Sequence, residues 1–160
     1  MSQRAAPITP ANDDPAILIR LFNDTFFTDE NTVLEHAGGE PFYLPADQSV
    51  PYHRIQFANG FFASGLHEIA HWCIAGHQRR RLVDYGYWYQ PDGRDADAQA
   101  QFEAAEVKPQ AIEWAFAIAC GRAFVVSLDN HGEVSVDREA FAERVYQCLH
   151  RYAQQGFPPR

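Results

Sequence analysis

Hydrophobic residues recur every three or four positions in four stretches of the chain, which is the period of an amphipathic helix. Asp13 and Asp14 are both suitable N-caps for the first stretch, and Pro15 suits its first turn. The third stretch contains Pro109, which should kink or divide a helix. We therefore predict helices over about residues 15–26, 61–76 and 97–119, and a last helix from Asp137 onward.

Between these stretches the pattern changes to the alternation of polar and apolar residues that is typical of a strand. Residues 52–58 show it most clearly, and residues 41–45 should be extended because each proline restricts the residue before it. Residues 32–34, 82–90 and 124–128 are further candidates for strands or extended segments. This mixture predicts an α+β fold, with one domain over residues 15–160 after a flexible segment, residues 1–14.

The composition agrees with a folded globular chain. Hydrophobic residues make up 46% and aromatic residues 14% of the 160 positions, enough apolar surface for a packed core. The net charge of −8, from 13 basic and 21 acidic residues, argues against nucleic acid or a membrane surface as partner. The chain has no recognisable signal peptide, no apolar run of the ~20 residues that a membrane helix needs, and only three scattered cysteines. We expect a cytoplasmic protein.

The second predicted helix contains His67-Glu68-Ile69-Ala70-His71, an H-E-x-x-H motif. Residues four apart lie on one face of a helix, so His67 and His71 can bind the same metal ion. Glu68 is about 100° further round the helix, where it can reach a metal-bound water rather than the metal. The structural alternative is a pair of inert, hydrogen-bonded histidines, but buried imidazoles need polar partners and a metal provides one for both.

Two histidines are too few for a tight site, and the usual third ligand is a His or a carboxylate from a following element. The third predicted helix offers Glu103 and Glu106, which the hydrophobic period does not separate. Two His and one carboxylate serve two chemistries. With zinc they form a metallohydrolase centre in which Glu68 is the general base, and with ferrous iron they form the facial triad of oxygenases.

Motifs at six places in the chain occur together in one known family. They lie within residues 42–47, 50–58, 67–76, 83–89, 91–96 and 101–111. Together they resemble the elongation factor P hydroxylases of bacteria, and the resemblance covers roughly residues 16–160. It is specific because it spans several separate motifs and extends far beyond the H-E-x-x-H.

The resemblance implies an activity that spacing alone does not give. Members of this family use dioxygen to hydroxylate the modified lysine of elongation factor P, after a β-lysyl group has been attached to it. By motif, His67, His71 and Glu106 would be the metal ligands, with Glu106 preferred to Glu103, and Glu68 would be a catalytic residue. Fe(II) would be the working metal, although other divalent ions could bind. The family lacks the overall sequence of known 2-oxoglutarate oxygenases, so 2-oxoglutarate is not assumed.

A long cationic side chain needs aromatic walls and carboxylates for its amine ends. Aromatic and acidic residues are concentrated between Asp84 and Asp95. We predict that Tyr87, Tyr89, Asp92 and Asp95 bind the substrate, with ordinary core and turn roles as the alternative for each.

The main alternative function is a zinc metallopeptidase of the zincin type, based on the H-E-x-x-H motif and a downstream Glu. A third hypothesis is a non-catalytic module in which the metal only joins two helices. We expect a zincin-like arrangement, in which the metal-bearing helices pack on a small mixed sheet.

Overall fold

A computed structural model describes residues 13–58, 61–87, 93–128 and 136–160. Within these ranges the chain forms four α-helices, three strands and two short 3₁₀ turns, Arg79–Arg81 and Val83–Gly86. In chain order the main elements are α1 (Pro15–Glu30), β1 (Thr32–Ala37), β2 (Phe42–Leu44), β3 (His53–Ala58), α2 (Phe62–Ile74), α3 (Ala96–Ala119) and α4 (Arg138–Gln155). The predicted α+β class with a small mixed sheet is confirmed.

The sheet is built around β3. β1 pairs with β3 in parallel, which places Leu34 opposite Ile55, and β2 pairs with its other edge antiparallel, which places Tyr43 opposite the same Ile55. Directly paired residues share a face of the sheet, and all three of these side chains are buried. This face therefore forms one wall of the main core.

Helices α1 and α2 complete that core. The rings of Phe22 on α1 and Trp72 on α2 meet edge to face, with their centroids 5.1 Å apart. At Gly65 on α2, a Cβ atom would come within 2.7 Å of the Leu18 side chain of α1. The absence of a side chain at this position allows the two helices to pack closely.

Helix α3 lies between the main core and a second one. Its residue Ile112 belongs to the main core with the sheet, α1 and α2. Its residue Ala111 belongs to the second core, which α3 shares with residues 126–128 and α4. The second core consists of Ala111, Val126, Leu128, Phe141, Val145 and Cys148.

The helix ends follow the predicted caps. Asp14 accepts a hydrogen bond from the Ala16 backbone N–H at 2.9 Å, and Asp137 does the same for Ala140 at 2.9 Å. Helix α1 continues beyond its predicted end to Glu30, where Asn31 adopts the left-handed conformation of a C-cap. Helix α3 is not divided at its internal proline.

Two segments predicted as strands or extended segments do not form strands. Residues 83–86 form a tight turn instead, because Asp84, Tyr85 and Gly86 have φ angles of 46°, 57° and 74°. Residues 124–128 form no strand, since a side chain takes the place of a neighbouring strand: Gln110 bonds both the N–H and the C=O of Ser127. Residues 88–90 lie outside the described residues.

The prediction of one domain over residues 15–160 stays a prediction, and residues 1–12 of the predicted flexible segment lie outside the described residues. Among the helices that the structure describes, none is long and apolar enough to cross a membrane.

Candidate metal centre

Helix α2 presents its two histidines to α3. Leu66, Ile69 and Ala70 on the remaining faces are buried in the main core, which fixes the rotation of the helix about its axis. His67 and His71 lie one turn apart on the face of α2 directed toward α3, and their Nε2 atoms are 3.1 Å from each other. The sequence of α2 therefore brings the Nε2 atoms of the two imidazoles close enough to bind one ion.

Glu106 of α3 supplies a carboxylate at the same point. Its Oε1 lies 3.1 Å from the Nε2 of His71, and its Oε2 lies 3.7 Å from the Nε2 of His67. One ligand atom from each residue lies within 4.8 Å of the others. Ligands about 2.1 Å from an ion in octahedral or tetrahedral geometry lie about 3.0–3.4 Å apart. The three side chains therefore fit a divalent metal ion.

The other candidate third ligand is directed elsewhere. Glu103 forms a short ion pair with Arg144 of α4 and accepts a hydrogen bond from Gln99 at 3.3 Å. The structure thus brings Glu106, and not Glu103, to the two histidines.

The second ring nitrogen of His67 is held by Glu113, a residue that the sequence prediction missed. The Nδ1 of His67 lies 2.7 Å from the Oε2 of Glu113. This carboxylate fixes the ring and leaves Nε2 facing the cluster, as carboxylates behind metal-ligating histidines commonly do. A signal was present in the sequence, because Glu113 lies two helical turns after Glu106 on the same face of α3.

Gln110 is a second residue that the prediction missed. Its amide nitrogen donates to the Oε2 of Glu106 at 3.2 Å and to the carbonyl of Ser127 at 2.7 Å. Its amide oxygen accepts from the Ser127 N–H at 3.0 Å. Gln110 therefore positions the carboxylate of Glu106 and ties it to the segment that closes the second core.

The electrostatics of the cluster are those of a cation site. Burial alone would lower the pKa of His67, but the hydrogen bond with Glu113 and the charges of Glu106, Glu113 and Glu68 raise it to about 10. Burial alone would raise the pKa of Glu106, but the hydrogen bond and charge of His71 help to lower it to about 2. Without a metal, a proton on the His67 imidazole compensates the carboxylates around it. A divalent ion would take the place of that proton.

A cavity of about 520 Å³ opens in front of the cluster. Glu68 lies on its wall beside the two histidines, and burial raises the pKa of this carboxyl, with the charges of Glu106 and Asp84 adding to the effect. The residues that line the cavity are Glu40, Pro41, Phe42, His67, Glu68, His71, Asp84, Tyr85, Tyr87, Phe102, Glu106, Gln110 and Ser127. Its wall is acidic and aromatic.

The predicted substrate-binding residues are placed differently from one another. Tyr87 lines the cavity. Asp95 is exposed and caps α3, accepting from the Ala98 N–H at 2.8 Å, and it does not line the cavity. Tyr89 and Asp92 lie outside the described residues. Their binding roles stay predictions.

Two comparisons with known proteins bear on this site. A sequence model of a family described as elongation factor P hydroxylase matches residues 21–160. The chain is also 49% identical over 143 residues to the elongation factor P lysine hydroxylase of Haemophilus influenzae, covering 89% of this chain and 80% of that protein. The range of the family match includes α2 and α3, and with them the whole three-residue cluster.

Proposed function

The chain belongs to the elongation factor P hydroxylase family, and from this premise we propose that it hydroxylates the β-lysylated lysine of elongation factor P. Such an enzyme is an oxidoreductase that needs an oxidant-activating centre next to a site for a long side chain. The observation that carries the proposal is the convergence of His67, His71 and Glu106 on the wall of a cavity of about 520 Å³.

These three residues would hold the metal, with Fe(II) as the working ion. Two imidazoles and one carboxylate are the donor set of the facial triad of non-haem iron oxygenases, which keep further coordination positions open. When bound, ferrous iron supplies the activation of dioxygen. Other divalent ions could bind the same ligands, and the proposal does not require 2-oxoglutarate.

The cavity would receive the cationic side chain. Glu40 and Asp84 on its wall can bind ammonium groups, and the rings of Tyr87 and Phe102 can contact the alkyl part of the chain. The net charge of −8 favours approach of a cationic substrate end and disfavours nucleic acid. Substrate binding by Tyr89, Asp92 and Asp95 is also proposed. Tyr89 and Asp92 lie outside the described residues, and Asp95 does not line the cavity.

Glu68 would handle a proton. It faces the cavity beside the metal ligands but is not one of the three clustered donors. Because burial raises the pKa of its carboxyl, Glu68 is suited to take up and release a proton during the reaction.

We also propose that the metal-bearing helices have a zincin-like arrangement. Helix α2, which carries the H-E-x-x-H motif, packs on β3, and the third ligand comes from the next helix, α3. Action on a translation factor would place the enzyme in the cytoplasm.

The test is reconstitution of the metal-free protein under anaerobic conditions with Fe(II), β-lysylated elongation factor P and a reductant, followed by dioxygen. A reductant is needed because one oxygen atom enters a C–H bond and the other is reduced to water. We expect the factor to gain the mass of one oxygen atom. Glu106→Gln should abolish this gain, whereas the matched variant Glu103→Gln should retain it.

No mass gain with any of several reductants would contradict the proposal. Cleavage of peptides by the zinc-loaded protein, abolished by Glu68→Gln, would instead support a metallopeptidase.

A further inference from the structure

The hydroxyl of Tyr85 is a buried polar group without a hydrogen-bond partner among the residues that the structure describes. Tyr85 is 5% exposed, and its hydroxyl forms no hydrogen bond with any residue in the described part of the chain. Buried tyrosine hydroxyls usually find a partner, because an unpaired one loses its interactions with water. Tyr85 lines the same cavity as Glu68 and the three clustered metal-site residues. A ligand in that cavity could provide the missing partner.

A strained turn places the Tyr85 ring there. Asp84 and Tyr85 both have a left-handed backbone, with φ angles of 46° and 57°, which residues other than glycine rarely adopt. Strand β2 holds this turn in place. The Asp84 carboxylate accepts from the Tyr43 N–H at 2.7 Å, and the Tyr43 ring stacks on Tyr85 at a centroid distance of 4.2 Å. The direction of the Tyr85 side chain is therefore fixed before any ligand binds.

The chemistry of the cavity wall defines the ligand group that Tyr85 can meet. Glu40, Glu68 and Asp84 offer acceptor oxygens, which suit ammonium groups. The side-chain amide of Gln110 already donates to Glu106 and Ser127. Burial and the nearby charge of Glu68 raise the pKa of Tyr85 well above its usual value, so its hydroxyl keeps its proton. With its proton kept, the Tyr85 hydroxyl can donate a hydrogen bond to an acceptor oxygen of the ligand.

We propose that the Tyr85 hydroxyl donates a hydrogen bond to the amide carbonyl of an aminoacylated lysine side chain bound in this cavity. This inference rests on the proposed function and adds a specificity-determining residue to it. An aminoacylated lysine carries ammonium groups for the carboxylates and one amide carbonyl for Tyr85. An unmodified lysine side chain has no carbonyl, so Tyr85 distinguishes the modified substrate from its precursor.

The test is the variant Tyr85→Phe, with Mn(II) in place of iron so that no turnover occurs. Calorimetry measures the dissociation constants of the β-lysylated and the unmodified factor, and their ratio gives the preference of the enzyme. Loss of one hydrogen bond should reduce this preference about tenfold. Because the Tyr85 hydroxyl has no hydrogen-bond partner among the described residues, the Tm of Tyr85→Phe should stay unchanged or rise. The number of manganese ions bound per protein should also stay unchanged.

Tyr43→Phe is the matched control, since it removes the hydroxyl of the ring stacked on Tyr85. That hydroxyl does have a partner: it donates to the Arg80 carbonyl at 2.7 Å. The control should lower Tm and leave the preference for the modified factor unchanged. In a second measurement, binding of the modified factor to the wild type should shift the ultraviolet absorption of a tyrosine. The shift should persist in Tyr43→Phe and be smaller in Tyr85→Phe, where only the contribution of Tyr87 remains.

The inference would be overturned if Tyr85→Phe kept the wild-type preference for the modified factor and the wild-type absorption shift. It would also be overturned if Tyr85→Phe lowered Tm and left the preference unchanged, because the hydroxyl would then have a structural role. A wild type that neither prefers the modified factor nor hydroxylates it would overturn the proposed function, and this inference with it. A wild type that hydroxylates the factor, beside a Tyr85→Phe variant with full preference, would overturn the role of Tyr85 alone.

Discussion

His67 contacts a carboxylate on each of its two ring nitrogens. Its Nε2 lies 3.7 Å from Glu106, and its Nδ1 lies 2.7 Å from Glu113, which is not one of the three clustered residues. If Nδ1 donates its hydrogen to Glu113, the lone pair of Nε2 points at the position a metal would occupy. The affinity of the site for metal should therefore depend on a residue that is not itself a ligand.

We predict that Glu113→Gln weakens metal binding about 10–100-fold. The amide has almost the same shape and can still accept a hydrogen bond from Nδ1, but it lacks the negative charge that makes the imidazole a better donor to the metal. Competition against a chromophoric chelator measures the affinity directly.

Glu103→Gln is the matched control, because Glu103 is a carboxylate on the same helix whose partners are Arg144 and Gln99. It should bind metal with the wild-type affinity. If Glu103→Gln loses affinity and Glu113→Gln does not, the assignment of these two carboxylates is reversed.

The residues that could be found from sequence are those whose geometry is local. His67 and His71 are placed by the helical period alone. The roles of Glu113 and Gln110 depend on how α3 packs against α2 and against residues 122–128, and a helical Glu or Gln is usually solvated. Only the tertiary structure shows that Glu113 and Gln110 contact other residues and are not ordinary solvated side chains of a helix.

At the scale of elements, one face of α3 joins the metal site to the second core. Glu106, Gln110 and Glu113 are spaced four and three residues apart, so they form a single stripe along the helix. Gln110 is the central member, and its amide bonds both backbone groups of Ser127 in the segment opposite. The Gln110 side chain thus makes hydrogen bonds to Ser127 that a neighbouring strand would make in a sheet.

We predict that Gln110→Leu lowers the free energy of unfolding by about 2–3 kcal/mol. Leucine has a similar volume, but it removes the two hydrogen bonds of Gln110 with the Ser127 backbone and the one with Glu106, and each hydrogen bond contributes about 0.5–1.5 kcal/mol. Metal affinity should fall as well, because Glu106 loses the donor that positions it. Urea unfolding of the metal-free protein and chelator competition measure the two effects separately.

Gln147→Leu on α4 serves as control, since Gln147 is exposed and, among the described residues, hydrogen-bonds within its own helix to Glu143. A change within about 0.5 kcal/mol is expected there. Equal destabilisation by both variants would show that the Ser127 contacts add nothing specific.

The difference between local and tertiary determinants also explains which secondary-structure elements were predicted correctly from the sequence. Helices α1 and α4 have local signals, an aspartate cap and a hydrophobic period, and both were predicted. The turn Val83–Gly86 has a strand-like pattern of aromatic residues, but its conformation is set by contacts of Asp84 and Tyr85 with Tyr43, far away in sequence. Local alternation contains no information about such a partner, so the strand prediction failed there.

At the scale of the whole molecule, the candidate metal centre lies between the two cores. His67 and His71 are carried by α2, whose buried residues belong to the main core. Glu106 is carried by α3, whose next turn contributes Ala111 to the second core. A metal bound by all three residues would cross-link these two parts of the molecule, in addition to the direct packing between α2 and α3.

Metal binding should therefore stabilise the entire fold. At a free metal concentration about 100-fold above the dissociation constant, a ligand that binds only the folded state adds about 2.7 kcal/mol. For a chain of this size, that corresponds to a rise in Tm of about 5–10 °C. Differential scanning calorimetry with and without Mn(II) measures the rise.

Glu106→Gln tests whether the link between the two cores is the cause. It should remove most of the rise, measured against the same variant without metal, because the two histidines of α2 would then bind the ion without α3. His150→Gln, an exposed histidine change on α4, should retain the full rise. A full rise in Glu106→Gln would mean that the ion binds to α2 alone. In that case the metal would stabilise the protein without joining its two cores.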